Sequence, residues 1–189
     1  MRVSALPTAA TILAALRGEP ASDDPRRPNP TRVEIMDPIL ALHANNAEQW
    51  NAEDDARREG ADDAVVAAAK RDIDRLNRAR HGYIEAIDRA ISAALGPRGG
   101  EPLVTESPGM AIDRLSVLVI RLAATEARAA AGAADAGRYA GRLPRLRSQL
   151  DALEEATATL LDDLASGARR FHAYESLKLY GPGDPGQAG

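Results

Sequence analysis

The sequence predicts an all-α fold, a helical bundle of about five helices that forms one domain over residues 1–180. Apolar residues recur every three or four positions over long stretches, as on one face of a helix. No stretch shows the alternation that is typical of a strand. Aromatic residues make up only 3% of the 189 residues. The core must therefore be built from Leu, Ile, Val and Ala, which favours closely packed helices.

The composition excludes several kinds of site. The chain has no cysteine, which rules out a disulfide framework and a thiolate zinc site. Its three histidines do not form the Glu-x-x-His pairs of a di-metal bundle, so we expect neither a metal nor another cofactor. The net charge is −4 and the arginines are interleaved with acids, which argues against nucleic-acid binding. No apolar run is long enough to cross a membrane, and we expect a cytoplasmic protein without membrane association.

The first predicted helix is short. Residues 3–17 carry leucine and isoleucine at helical spacing, and Thr8 or Thr11 is a suitable N-cap. Residues 18–30 contain four prolines, which exclude regular structure and predict a loop.

Two longer helices are predicted to follow. The second begins either near Thr31 or at the Asp37-Pro38 pair, because Asp is a good N-cap and Pro is favoured at the first helical position. It runs toward Gly60. The third covers residues 62–95, with one apolar stripe of isoleucine and leucine and an opposite polar face, Asp88 included, that we expect to be solvated.

The fourth predicted helix is the central one. Ser107 and Pro108 form an N-cap and first helical residue, and the segment 110–122 is apolar nearly all round, so we expect it to be buried. Asp113 lies within it. A carboxyl group in such a position must either be paired or have a raised pKa.

The last predicted helix covers residues 142–173. Its leucines repeat at three- and four-residue spacing from Leu143 to Leu164, which predicts a homodimer seam. The alternative is that this repeat packs inside one chain. Residues 181–189 are predicted to be a flexible tail because they are rich in glycine and proline.

One stripe of the second helix is unusual. At 100° per residue, the positions on this narrow line are His43, Asn46, Trp50, Glu53 and Arg57, with Asp54 at its edge. An amphipathic helix normally places leucine or valine on such a line. Two interpretations remain open: a solvated face from which a single tryptophan reaches the core, or a polar cleft with an aromatic platform.

A second polar group interrupts the third helix. Arg80 falls within its apolar stripe, and Asn77 lies beside that stripe. A buried guanidinium needs acceptors and a counter-charge. The alternative is an arginine whose stem packs while its charged end reaches solvent.

These residue types fit glycoside hydrolysis. The reaction needs two carboxyl groups, one as acid and the other as base or nucleophile. Trp50 offers a surface on which the apolar face of a sugar can stack, and Arg or Asn side chains can hold hydroxyl groups. Alone this combination is a weak signal, because many helical proteins that catalyse nothing contain it.

Four motifs carry a resemblance to a known family. In order, the segments are Leu42-His43…Asn46…Trp50…Glu53-Asp54…Ala56-Arg57, Lys70-Arg71-Asp72-Ile73-Asp74-Arg75-Leu76-Asn77…Arg80, Glu106-Ser107-Pro108-Gly109…Ile112-Asp113-Arg114-Leu115-Ser116 and Leu177-Lys178-Leu179-Tyr180. Over residues 35–180 the chain resembles an all-helical bacterial family of domains of unknown function, often encoded near glycosyltransferases. Within that family, it resembles the mycobacterial members that hydrolyse 3-O-methylmannose polysaccharide.

The resemblance implies an endo-acting α-mannosidase whose substrate is an oligo- or polysaccharide. We expect Asp113 to be the general acid, because its carboxyl rises from an apolar helix face. Asp54 is the preferred base and Glu53 the close alternative. The predicted sugar-binding residues are Asn46, Trp50, Arg57, Asn77, Arg80 and Arg114. Carboxyl groups on two different helices are more easily placed far apart than close together, which favours inversion.

Two departures from the commoner family pattern bear on the substrate. Asn51 stands where a histidine often follows the tryptophan, and Ser107 stands where threonine is usual. The first departure leaves open whether all members share one substrate. The competing hypothesis is a non-catalytic helical adaptor that binds glycosyltransferases. Acids that are all paired to arginines, without a cleft, would favour the adaptor.

Overall fold

The protein is all-helical over the part of the chain that its structure describes. This computed structural model describes residues 6–19, 30–57, 62–132 and 134–175. The helices are α1 (Ala9–Leu16), α2 (Pro30–Ala56), α3 (Asp63–Leu95), α4 (Pro108–Ala130), α5 (Ala136–Ala140) and α6 (Leu143–Ser166). Within these ranges the only β-type pairing is an isolated bridge between Leu103 and Arg170. The predicted fold class is confirmed.

The bundle is organised around α4. This helix contacts α1, α2, α3, α5 and α6, while α2 and α3 form a long paired hairpin. Ile112 and Leu115 of α4 are completely buried, as the central position of this helix requires. Val117 and Ile120 are only partly buried, and both line cavities beside α4.

Capping residues explain where two helices begin. The Thr8 side chain accepts a hydrogen bond from the Thr11 backbone N–H at the start of α1. Ser107 does the same for Met110 at the start of α4, with Pro108 in the first turn. Both caps agree with the sequence prediction.

Of the two predicted starts of the second helix, the one near Thr31 agrees with the structure and the one at Asp37-Pro38 is wrong. Pro38 lies inside α2, which begins at Pro30. An interior proline removes one backbone hydrogen bond. The apolar stripe of α2 continues through this position, because Ile35, Ile39 and Leu42 are all completely buried. Packing of this stripe offsets the lost hydrogen bond and keeps the helix continuous.

The predicted end of the last helix at residue 173 is also wrong. α6 ends at Ser166, where Gly167 adopts a left-handed conformation with φ of 80° and its N–H bonds to the last turn. Phe171 lies within the range that was predicted for this helix. It packs instead against the core from the segment that follows the helix. The motif 177–180 and the tail 181–189 lie outside the described residues, as does Gly60.

A buried carboxylate joins α3, α4 and the C-terminal segment. Asp88 was expected to be solvated, but it is completely buried. Its Oδ1 accepts from the Gly109 N–H at 2.7 Å and its Oδ2 from the Tyr174 N–H at 2.8 Å. Burial raises the pKa of Asp88, although these hydrogen bonds and one from Ser107 act in the opposite direction. The contact fixes the N-terminus of α4, which carries the candidate site.

We expect Gly109→Ala to lower the free energy of unfolding by about 2 kcal/mol. A Cβ there would lie 2.6 Å from the Ile84 carbonyl oxygen and 2.9 Å from Asp88 Oδ1, so α4 would have to move away from α3. Denaturant unfolding measures the change. Gly82→Ala on α3 is the control, because its Cβ would meet nothing within 4 Å. Equal stability of the two variants would contradict the close packing.

The leucine repeat of α6 packs partly inside one chain. Leu150, Thr157 and Leu164 are buried, whereas Leu146, Leu153 and Leu160 are only partly buried. The homodimer remains a prediction. Sedimentation at micromolar concentration should show a species of twice the 20.0 kDa chain mass. A single species at the chain mass would contradict it.

None of the helices in the described ranges combines the length and the apolar character that a membrane span requires.

Candidate functional site

The centre of the candidate site is a two-pronged ion pair between α3 and α4. Arg80 donates from Nε to Oδ1 of Asp113 at 2.7 Å and from Nη2 to Oδ2 at 2.5 Å. The Asp113 side chain is only 8% exposed, and that of Arg80 is 28% exposed. The hydrogen bond to Asp113 raises the pKa of Arg80 against the opposing effect of burial, and the charges of Asp113 and Glu53 add to it. The guanidinium is therefore held rigidly, with its remaining N–H groups available to a ligand.

A polar network extends this pair to α2. Asn46 Nδ2 donates to Asp113 Oδ1 at 3.0 Å and to Ser116 Oγ at 3.1 Å. Ser116 Oγ in turn lies 2.9 Å from Nδ1 of His43. Burial lowers the pKa of His43, so its imidazole is neutral near pH 7.

These contacts correct the expected surroundings of Asp113. The sequence suggested a carboxyl group on an apolar face, but both of its oxygens accept hydrogen bonds and its neighbours are polar. Arg80 lines the two cavities described next, whereas Asp113 lines neither of them. The geometry therefore places Asp113 behind Arg80, as the group that orients it.

A small cavity of about 130 Å³ lies beside Arg80. Asn46, Gln49, Trp50 and Glu53 of α2 form its other wall. The Glu53 carboxylate accepts from Gln49 Nε2 at 3.3 Å and from Arg57 Nη2 at 3.0 Å. Its side chain is 34% exposed. Glu53 is thus the carboxylate of α2 that shares a cavity with Arg80.

Two buried acceptors border this cavity. The side-chain carbonyl oxygens of Asn46 and Gln49 accept no hydrogen bond from the described residues, although both side chains are more than nine-tenths buried. A buried acceptor without a donor is unfavourable by about 1–3 kcal/mol. Hydroxyl donors of a ligand are one means of satisfying such groups.

A larger groove of about 590 Å³ continues from Arg80 between α4 and α6. Leu153 and Leu160 form its apolar floor together with Val117. Glu106 also lines the groove, and it accepts a hydrogen bond from Arg114 Nη1 at 2.8 Å. The Glu106 side chain is 28% exposed. Arg80 therefore shares one cavity with Glu53 and another with Glu106.

A third cavity, of about 540 Å³, lies at the corner of α4, α5 and α6. Trp50 and Asp54 line it, and Asp54 Oδ2 accepts from Arg128 Nη2 at 2.8 Å. Arg121 lines this cavity, the groove and the small cavity, so the three spaces adjoin one another along one face of α4. Asp54 itself lines neither of the cavities that contain Arg80.

The structure brings some of the predicted residues together and separates others. Asn46, Trp50, Glu53 and Arg80 meet at one cavity, and Arg114 shares the groove with Arg80. The predicted positions Arg57 and Asn77 line none of these three spaces. Arg57 is 71% exposed and serves as the ion-pair partner of Glu53.

Sequence reasoning missed three residues of the groove: Glu106, Arg121 and Gln149. Glu106 stands at the head of the motif 106–116, which was a signal for its importance. The sequence contained no such signal for Arg121 and Gln149, because their position in the groove depends on how α4 and α6 face each other.

Comparison with known families covers this whole region. Residues 37–173 match the family described as "Protein of unknown function (DUF4254)". The chain belongs to this family. Every cavity-lining residue discussed above falls within the matched DUF4254 segment. No curated protein and no solved structure matches the chain.

Proposed function

We propose that the protein is a glycoside hydrolase, an endo-acting α-mannosidase that cleaves methylmannose polysaccharide into shorter oligosaccharides. One observation supports this most: the fixed guanidinium-bearing residue Arg80 lines both the small cavity that contains Glu53 and Trp50 and the open groove that contains Glu106. The resemblance of the four sequence motifs to the mycobacterial hydrolases supplies the substrate class.

The chemistry requires one acid and one base. In the inverting course that we favour, one carboxylic acid gives its proton to the glycosidic oxygen, whose bond to the anomeric carbon breaks. The other carboxylate takes a proton from a water molecule, whose oxygen attacks that carbon from the opposite face. We assign this pair to Glu53 and Glu106. Asp113, expected from the sequence to be the acid, holds Arg80 in place for contacts with the sugar hydroxyls.

The surroundings of the groove suit a carbohydrate. Arginine, asparagine and glutamine side chains can bind hydroxyl groups, and an exposed indole can stack on the apolar face of a sugar ring. The unsatisfied carbonyl oxygens of Asn46 and Gln49 are suitable acceptors for hydroxyl donors. A groove along one face of α4 also fits a long chain that is cut internally.

One observation favours the alternative of a non-catalytic adaptor that binds glycosyltransferases. Each acid of the site has an arginine partner: Asp113 with Arg80, Glu53 with Arg57, Asp54 with Arg128, and Glu106 with Arg114. Pairing of the acids with arginines is one of the two features that we expected of an adaptor, the other being the lack of a cleft. The open groove favours the hydrolase, because an adaptor site would not need a cavity beside Trp50.

Incubation of the purified protein with the polysaccharide separates the two functions. A hydrolase releases new reducing ends with the protein alone, and the rate falls on substitution of Glu53 or Glu106. An adaptor releases none, yet is retained by an immobilised glycosyltransferase from the same genome. Release of reducing ends that is unaffected by both substitutions would contradict the assigned site.

Trp50→Ala should weaken oligosaccharide binding by about fivefold to tenfold without unfolding the protein. The Trp50 side chain is partly exposed and lines the cavities beside the groove, so its loss removes a stacking surface more than a core contact. Calorimetric titration measures the affinity, and Trp50→Phe is the control that keeps an aromatic ring. A variant that melts far lower and binds normally would identify Trp50 as a core residue.

A further inference from the structure

The cavity at the corner of α4, α5 and α6 is rich in arginine. We define this arginine pocket by the guanidinium-bearing residues Arg121, Arg128, Arg142 and Arg145, with Trp50 and Tyr139 as its aromatic walls. Its volume of about 540 Å³ is large enough for a mono- or disaccharide. The proposed hydrolysis of a neutral glycan does not require so much positive charge.

Within the described residues, only one acid faces these arginines. Asp54 lines the pocket and is committed to Arg128 at 2.8 Å. Arg128 also donates to the Tyr139 hydroxyl at 3.0 Å. Arg121 and Arg145 form no ion pair with any residue in the described ranges, so the pocket keeps a net positive charge.

The Tyr139 ring organises one side of the pocket. The Arg128 guanidinium lies 5.5 Å from the ring centre and that of Arg142 lies 5.6 Å from it. Asp54 already compensates the charge of Arg128, whereas Arg142 has no carboxylate partner among the described residues. This arrangement therefore favours an anionic ligand.

The N-terminus of α6 adds to the positive electrostatic potential of the arginine pocket. This 24-residue helix has no side-chain cap and no acid in its first turn, and Arg142 stands at its N-cap. The N-terminus of a helix carries a partial positive charge, so arginine is normally unfavourable there and an anion is favoured. The charges of Arg142 and Arg145 thus add to that of the helix N-terminus and favour a negative partner.

We propose that the arginine pocket binds the phosphate or carboxylate group of an anionic sugar. The guanidinium groups of Arg142, Arg145 and Arg121 would take the oxyanion, since paired N–H donors match both phosphate and carboxylate. Trp50 takes the sugar ring. This site does not depend on the proposed hydrolysis, and Arg121 and Gln149 connect it with the groove.

The test is calorimetric titration of the full chain with glucose 6-phosphate, glucuronate, inorganic phosphate and neutral glucose. Trp50 is the only tryptophan and lines both this pocket and the small cavity, so its fluorescence reports a ligand in either space, and the arginine variants assign the signal to this pocket. We expect saturable binding of at least one anionic sugar, with an accompanying change in fluorescence. Arg142→Gln and Arg145→Gln should each weaken that binding, and together they should do so by about tenfold or more. Arg138→Gln is the control for each of the two single variants, because it removes one positive charge from α5 at a residue that does not line the pocket.

Each outcome decides the proposal. Binding of glucose 6-phosphate alone would identify phosphate as the bound group, and binding of glucuronate alone would identify carboxylate. Binding of both would show that the pocket accepts either group. Each of these three results supports the proposal. Neutral glucose binding as tightly as the anionic sugars would overturn it. Inorganic phosphate as the sole ligand would show an adventitious ion only and would also overturn it. The proposal would also be overturned if the double variant bound the anionic sugars as tightly as the Arg138→Gln control does.

Discussion

We expect Glu53→Gln to reduce the turnover of methylmannose polysaccharide by about a hundredfold or more, with little change in stability. Glutamine keeps the size of the side chain but can neither hold a proton for transfer nor accept one from water. Glu53 is the carboxylate of α2 that shares a cavity with Arg80, and its side chain is accessible from solvent. Initial rates of reducing-end release at saturating substrate measure the effect.

Two other substitutions on α2 make this result specific. Glu48→Gln removes the same charge from an exposed position outside the described cavities and should leave the turnover unchanged. Asp54→Asn tests the residue that the sequence preferred as base. Because Asp54 pairs with Arg128 in a different cavity, we expect only a small loss. Full activity of Glu53→Gln together with an inactive Asp54→Asn would reverse the assignment.

Asp113→Asn should lower the free energy of unfolding by about 2–3 kcal/mol. The substitution leaves the Arg80 guanidinium without its counter-charge at a site where the Asp113 side chain is only 8% exposed. The loss stays below that of a fully buried pair, because Arg80 is 28% exposed and gains some hydration. Chemical denaturation of the variant and the parent protein measures it.

The matched control is Glu106→Gln, which breaks the more exposed pair with Arg114. Pairs of this kind contribute about 0–1 kcal/mol, so this variant should unfold almost like the parent. Equal effects of the two substitutions would mean that Asp113 and Arg80 do not form the structural centre of the site.

The pH dependence of turnover separates two roles for Asp113. A residue that only orients Arg80 changes the rate without removing a limb of the pH profile. The general acid predicted from the sequence would remove the alkaline limb when it is replaced by asparagine, since that limb reports loss of the acid's proton. A persistent bell-shaped profile with lower turnover is the result that we expect.

The sequence predicted helix boundaries that depend on local signals better than boundaries that depend on packing between helices. Ser107 with Pro108 is a strong local signal, because the cap and the fixed proline φ act within one turn. The continuation of α2 through Pro38 depends on buried contacts with other helices. The apolar pattern suggested a longer α6 because Phe171 also packs on the core, but it does so from the segment after Gly167, where the helix ends.

The site was only partly predictable for a related reason. Arg80 and Asp113 were each recognised as polar groups within apolar helix faces, but not as partners. They lie 33 positions apart, and their contact depends on the rotation of α3 relative to α4. The stripe of Asn46, Trp50 and Glu53 was predictable because a single helix fixes its geometry.

The mass of the products formed from methylmannose polysaccharide tests the proposed function most directly. We expect the purified chain to convert the polysaccharide into oligosaccharides of intermediate length early in the reaction, without early accumulation of monosaccharide, because an endo-acting enzyme cuts internal bonds. The Glu53→Gln variant should leave the polysaccharide intact over the same time. An unchanged mass distribution after prolonged incubation with the folded parent protein would contradict the proposal.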